Sequence, residues 1–315
     1  MEQTTIVIEP LDKREETAPR QRKFRLRQLR VQGLFLLPAL VIFTAFVVYP
    51  ILASLYYSLT DWDGLAPDLH FVGLANFQQL VSDPTVLTDL KNTLVFAAGV
   101  MVLQNGIALL LAIILDGFLR RLAFLRVLFL IPAMLSALAI GYIWSYIYAP
   151  QFGFLNTFLS KIGLSAWQQD WLGNAHLVLF SLIFTNSWEF MGFGMVIFLA
   201  GLQAVPAELY EAANIDGTSG WQRFRYITFP LIAPAVTVNV VLTLIGSMKV
   251  FDLIFVMTNG GPGDASESLA IRLYKEAFTQ NHFGYGTAVG IVMSVLILGL
   301  SMINLRFLRK REVEL

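Results

Sequence analysis

The order of apolar and polar positions divides this chain into six long apolar stretches, about 34–59, 93–115, 122–148, 177–202, 231–257 and 287–308. Each reaches the ~20 residues that a helix needs to cross a hydrocarbon layer of ~30 Å. Inside such a layer the backbone must satisfy its own hydrogen bonds, so the pattern predicts an all-α integral membrane protein with six transmembrane helices. Between the fourth and fifth stretches the pattern becomes that of a soluble helix and turn. Pro206 suits a first helical turn, Glu208 and Glu211 suit the positive end of the helix dipole, and Gly217 can take the left-handed conformation that ends a helix. The predicted helix covers about 206–215. Its apolar positions, Leu209, Ala212, Ala213 and Ile215, are too few and too small to fold alone, so a groove on another protein is expected to hold it.

Composition agrees with this division and adds a direction. The chain is 56% hydrophobic and only 14% charged, where charge in a soluble domain approaches about a quarter. The net charge of zero conceals an asymmetry. Seventeen Lys and Arg lie on the side of the amino-terminal tail, the connection with Arg120, Arg121 and Arg126, the loop with Arg223 and Arg225, and the carboxyl end; only Lys91, Lys161, Arg272 and Lys275 lie opposite. The positive-inside rule therefore puts both termini and the 206–217 loop in the cytoplasm, in a multi-pass protein of the cell membrane. Residues 1–32 read as a basic cytoplasmic tail that anchors the topology or contacts lipid headgroups, 33–308 as the transmembrane domain, and 309–315 as a second cytoplasmic tail. No nucleic-acid partner is indicated.

Several chemistries are excluded. With no cysteine there is no disulfide or thiolate site. No lysine follows a glycine, so there is no phosphate-binding loop of the Gly-Lys-Ser/Thr kind, and ATP-driven work would need a separate ATPase. Gly217-Thr-Ser-Gly220 matches a short pattern of intramembrane serine proteases, but His70, His176 and His282 all fall at the other side of the membrane from Ser219 and leave it without a base. The three histidines are also too scattered for a metal site.

Polar groups at membrane depth carry the remaining chemistry. Asn186, Glu189, Phe190 and Phe193 share one face of the fourth stretch at spacings of three and four, with Glu189 near mid-membrane. A carboxylate beside aromatic rings suits a sugar, whose hydroxyls need acceptors and whose C–H faces stack on rings. The same glutamate could equally bridge two helices. The fifth stretch carries a second stripe, Asn239, Thr243, Gly246, Ser247 and Val250, which suits either a solute path or close helix packing. Lys249 and Asp252 stand one turn apart near the external end of that stretch, as a local ion pair or an external gate.

The run Glu211-Ala-Ala-Asn-Ile-Asp-Gly217, with Thr228-Phe-Pro230 ten residues on, resembles the EAA loop of permease subunits in binding-protein-dependent ABC importers. Trp221, Phe224 and Ile227 make it similar to the carbohydrate branch, as do Asn259-Gly-Gly-Pro-Gly263, Tyr274-Lys-Glu-Ala-Phe278 and Phe283-Gly-Tyr-Gly-Thr-Ala288; the resemblance covers about 92–307. It implies a type I permease in which Glu208, Glu211, Ala212, Ala213, Asp216 and Gly217 form the coupling surface for an ATPase. It further implies a sugar path at Asn186, Glu189, Phe190, Phe193, Thr243, Gly246, Ser247 and Val250. Ser247 and Val250 stand where the maltose-type relative has asparagines, so the solute or its manner of binding differs. Lys249, Asp252, Gly260, Gly261 and Pro262 would form an external gate or a contact for the binding protein. The implied partners are a second, similar permease, two ATPase subunits that bind ATP and Mg, and an external substrate-binding protein, with no cofactor in this chain. The same loop also occurs in importers of glycerol phosphate esters or polyols, while an ion-coupled secondary transporter would need no docking helix.

Overall fold

The computed structural model describes residues 34–117 and 123–310. The predicted amino-terminal tail, Arg120, Arg121 and residues 311–315 lie outside them. The chain divides into two compact units, Met1–Ser54 and Leu55–Leu315. Of the first, the described residues belong to α1 (Leu34–Tyr57), a 24-residue helix whose apolar side chains are almost all exposed. A π-turn at Thr44–Val48 interrupts it.

The second unit is helical throughout its described residues, apart from one isolated β-bridge between Thr60 and Phe71. A short helix, α2 (Ala75–Ser82), precedes α3 (Pro84–Gly117). Pro84 opens α3 because a first-turn residue needs no N–H partner, and Asp83 accepts from the Thr85 amide at 2.9 Å. The 34 residues of α3 reach about 51 Å at the helical rise, so the helix stands out of the membrane. Then come α4 (Ala123–Met134), α5 (Ala137–Ile147) and α6 (Phe154–Lys161), followed by the central α7 (Val178–Gln203). After α8 (Ala207–Ile215) and α9 (Gly220–Leu231) the chain returns through α10 (Ala233–Met248), α11 (Asp252–Met257) and α12 (Leu269–Tyr274) to α13 (Phe283–Arg309).

Among the described residues four helices, α1, α3, α7 and α13, are long and apolar enough to cross a membrane, and two bent pairs bring the number to six if each pair is one span. The third predicted stretch is not a continuous helix: α4 and α5 meet at 95°. Pro132 weakens the end of α4, and Ser136 caps α5 by accepting from the Ala139 amide at 3.2 Å. The fifth is broken twice, by a 69° bend between α9 and α10 and by a stop at Met248.

Small residues let α7 sit at the centre. A methyl group on Gly192 would collide with the carbonyl oxygen of Phe129 in α4, and one on Gly194 would lie 2.9 Å from the Ala108 side chain in α3. Removing the side chain lets backbones approach, the usual device between helices that water does not drive together. Two apolar clusters result. One joins Phe96, Ile140, Leu182, Val250 and Ile254 at one end of the bundle, and the other joins Ala112, Met195, Phe198 and Ile232 toward the α8 end.

Candidate functional site

The α8 segment is built as the residue pattern predicts, one residue shorter. Pro206 precedes the helix with extended ψ of 133°, and Glu208 lies in the first turn. At the other end Gly217 has φ +69°, its N–H donates to Asn214 O at 3.1 Å, and the Thr218 N–H donates to Ala213 O at 3.1 Å. These two bonds are the Schellman arrangement, which satisfies the last carbonyls of the helix. Two residues later Ser219 and Gln222 exchange side-chain-to-backbone bonds at 3.3 and 2.8 Å, a capping box that starts α9. Ser219, the residue of the protease-like pattern, is therefore occupied in capping.

Two contacts hold the helices together: Arg223 Nη1 donates to Asn214 Oδ1 at 2.5 Å, and the Tyr210 and Thr228 hydroxyls lie 3.0 Å apart. Of the four apolar positions of α8 only Ala213 is buried. Glu208, Glu211, Ala212, Asp216 and Gly217 are exposed, and Ile215 is 87% exposed. A rigidly capped helix is thus presented outward with an apolar residue bare.

Between α3, α7 and α10 lies a cavity of about 270 Å³. Asn186, Phe190, Phe193, Thr243, Gly246 and Ser247 line it, together with Gln104 and Asn239. Two helix faces identified by spacing alone are therefore brought to one space. Interhelical amide bonds set its walls. Gln104 Nε2 and Asn105 Nδ2 approach Thr243 Oγ1 at 3.4 and 3.3 Å, and Asn239 Nδ2 donates to Gly194 O at 2.9 Å. With its oxygen accepting, Thr243 keeps its own proton to donate. Gln104 and Asn239 keep their amide oxygens as acceptors. No charged residue lines the cavity. Gln104 was not legible as a site residue, because a single amide in an apolar run has no periodicity; its adjacency to Asn105 is the only signal.

Two predicted path residues stand apart. Val250 is 8% exposed and packs in the apolar cluster with Phe96 and Leu253, because α10 has ended and the chain has turned. Glu189 is buried at 3% exposure beside the cavity but not in its lining. Among the described residues it has no hydrogen bond and no cation, and the charge acting on it is the carboxylate of Asp252. Lys249 and Asp252 do not share a helical turn: Lys249 ends α10, Asp252 begins α11, and no ion pair joins them.

The Gly-Gly-Pro turn is a structural corner. Gly260 has φ +91° and packs against Glu267, where a side chain would lie 3.0 Å from Oε2; the Gly261–Pro262 bond is cis. Glu267 belongs to a buried charge network. Its carboxylate meets Lys275 at 2.5 Å and Arg272 at 3.2 Å, Arg272 Nε donates to Asp89 Oδ2 at 2.7 Å, and Glu276 lies 3.6 Å from Arg272. Burial pushes the Glu267 carboxyl above the usual range, against the pull of Lys275 and Arg272. Burial also opposes the charge on Arg272, but Asp89 and Glu267 outweigh it and hold the guanidinium protonated. The network pins the 259–282 segment to the start of α3.

Comparison with known proteins places these features. Residues 104–313 match the family described as binding-protein-dependent transport system inner membrane component. A probable ABC transporter permease protein of Pyrococcus horikoshii is 39% identical over 270 residues, 84% of this chain and 91% of its own length. The trehalose/maltose transport system permease protein of Thermococcus litoralis is 32% identical over 92% of this chain and 97% of its own. The crystal structure of a bacterial alginate ABC transporter in complex with an alginate pentasaccharide-bound periplasmic protein contains a chain of the same fold, with a TM-score of 0.77 at 21% identity, covering 89% of this chain and 94% of that one. A multi-pass helical protein with no phosphate-binding loop of its own, this chain belongs to the binding-protein-dependent transport system inner membrane component family, as a permease subunit of an ABC transporter.

Proposed function

We propose that this permease forms half of the translocation path of a sugar importer and that its solute passes through the cavity between α3, α7 and α10. The observation that carries this reading is the lining: neutral amides and hydroxyls beside two phenylalanine rings. Hydroxyls of a saccharide exchange hydrogen bonds with the first set and its C–H faces stack on the second. The trehalose/maltose relative supports the solute class. A glycerol phosphate ester would call for cations, and none line the cavity. Uptake of labelled di- and oligosaccharides by reconstituted complex tests the reading. Transport unaffected by Phe193→Ala together with Asn186→Ala would overturn it.

In this reading the two bent pairs each make one span, giving six, with both termini and α8 in the cytoplasm of a cell-membrane protein. Glu208, Glu211, Ala212, Asp216 and Gly217 dock into one of two ATPase subunits, which bind ATP and Mg; Ala213, expected on that surface, is buried against its own chain and is not part of it. A second permease closes the open side of the cavity, and an external binding protein delivers the sugar near Lys249, Asp252 and the Gly260-Gly-Pro262 turn. Closure of the ATPases moves α8 and switches the path between its two openings.

Replacing Gly217 with valine tests the docking element. The space around Gly217 is open, so the penalty is conformational alone, at least about 1–2 kcal/mol for a side chain at positive φ. The variant is expected to lose its ATPase in detergent while Gly217→Asn retains it; a normal complex from the valine variant rules out this turn as the coupling element. Glu211→Lys is expected to weaken retention in a salt-dependent manner, checked by complex yield across a salt series.

Glu189 is covered by its own chain and stands off the cavity wall, so it is proposed to meet the solute only when α7 moves during transport; this chain supplies it no partner among the described residues. Glu189→Gln keeps its shape and exchanges charge-assisted bonds, each worth ~1.5–3 kcal/mol, for weaker neutral ones. Uptake should fall while the complex keeps its melting temperature. A joint fall of both in proportion would show a structural role instead.

A further inference from the structure

Each of the three helices around the polar cavity carries a buried threonine that uses its proton on its own helix. Thr93 in α3, Thr185 in α7 and Thr237 in α10 donate to the carbonyl oxygen four residues back, at 2.7, 2.9 and 3.0 Å. Thr243 departs from this habit. It belongs to the cavity lining, and its hydroxyl is turned off its own helix toward two donors of α3, Gln104 Nε2 at 3.4 Å and Asn105 Nδ2 at 3.3 Å. Among the described residues no acceptor takes its proton. Gln104 lines the cavity as well, whereas Asn105 does not.

The Asn105 amide cannot be turned over. Its Nδ2 donates to Met101 O at 2.8 Å, and a carbonyl oxygen would repel the amide oxygen in that place. The nitrogen that Met101 fixes is the one that reaches Thr243, so Thr243 receives a proton from Asn105 and cannot give one to it. Asn105 also carries a cost, because its Oδ1 is buried without a partner among the described residues. A leucine of similar size would leave no such acceptor, so stability alone does not call for an asparagine here. A hydroxyl oxygen has two acceptor sites and one proton. With donors on the first two, the proton is left for what occupies the cavity.

We propose that Asn105 is a positioning residue: from outside the cavity it holds the Thr243 hydroxyl as a donor, so that the solute must present an accepting oxygen there, such as a hydroxyl, ring or glycosidic oxygen of a saccharide. This rests on the cavity being the solute path. Released from Asn105, the Thr243 hydroxyl would rotate onto its own helix as Thr237 does, and the solute would lose its donor.

The test measures equilibrium binding of labelled saccharide to the assembled transporter in detergent, without external binding protein. The probe is the saccharide that the parent complex carries, maltose and trehalose being tried first. Thr243→Val is expected to weaken binding about 2–10-fold, the worth of one net hydrogen bond. Asn105→Leu, and independently Asn105→Ala, should weaken it by a similar factor in the parent and have no effect once Thr243 is valine. Asn105→Leu should also keep the melting temperature of the parent. Equal weakening in both backgrounds would make Asn105 a structural residue and overturn the proposal. Parent-like binding by Thr243→Val, or by both Asn105 variants, would overturn it too, while the path reading stands as long as Asn186→Ala with Phe193→Ala binds weakly. If that pair and Thr243→Val all bind like the parent, the path reading itself falls and this proposal with it.

Discussion

Arg272→Met should lower the stability of this permease by about 3–5 kcal/mol, the cost of leaving buried carboxylates without their cation. Asp89 is 0% exposed and has only this guanidinium as a cationic partner among the ion pairs of the described residues. Glu267, equally buried, would keep Lys275. The loss therefore falls mainly on Asp89, which makes the double variant Asp89→Leu with Arg272→Met informative. Removing both charges leaves no uncompensated ion, and much of the stability should return. Thermal melting of the three proteins in one detergent measures this. If the single variant melts like the parent, the network contributes only geometry.

The second large effect is expected at Gly192→Ala. A single methyl there meets the backbone carbonyl of Phe129, and a backbone atom cannot move aside as the end of a side chain can. Overpacking of this kind costs ~1–3 kcal/mol, occasionally more. Here it would also force α4 away from α7. Gly106→Ala is the control, because no atom beyond its own stretch of helix backbone lies within 4 Å of its added carbon and the helix gains from alanine. Gly192→Ala should melt well below Gly106→Ala; equal melting would show that α4 and α7 separate without cost.

The elements that the residue pattern disclosed are those whose physics is local. The ends of α8 follow from Pro206 and Gly217, whose backbone preferences act without tertiary help, and both lie within a residue of the expected bounds. Continuous spans such as α7 and α13 follow from apolar length. The breaks do not. An apolar run shows that a segment is long enough to cross the membrane, but Pro132 with Ser136, and the stop at Met248, decide whether it crosses as one rod. That second break also explains Val250: helical spacing does not hold beyond the end of α10 at Met248. Spacing within one helix puts Phe193 and Ser247 on faces that line one cavity, yet Gln104 comes from a third helix, and only packing shows that its amide reaches Thr243.

The Asn239 bond to Gly194 O and the two amides on Thr243 have a mechanical consequence. They rivet α3, α7 and α10 into a single plate, so these three walls cannot part to admit or discharge a solute without breaking buried hydrogen bonds. In the proposed path the polar cavity would then act as a fixed wall: a difference in grip between its two openings would have to come from the proposed second permease, and a mutation that loosened the rivets would blur that difference.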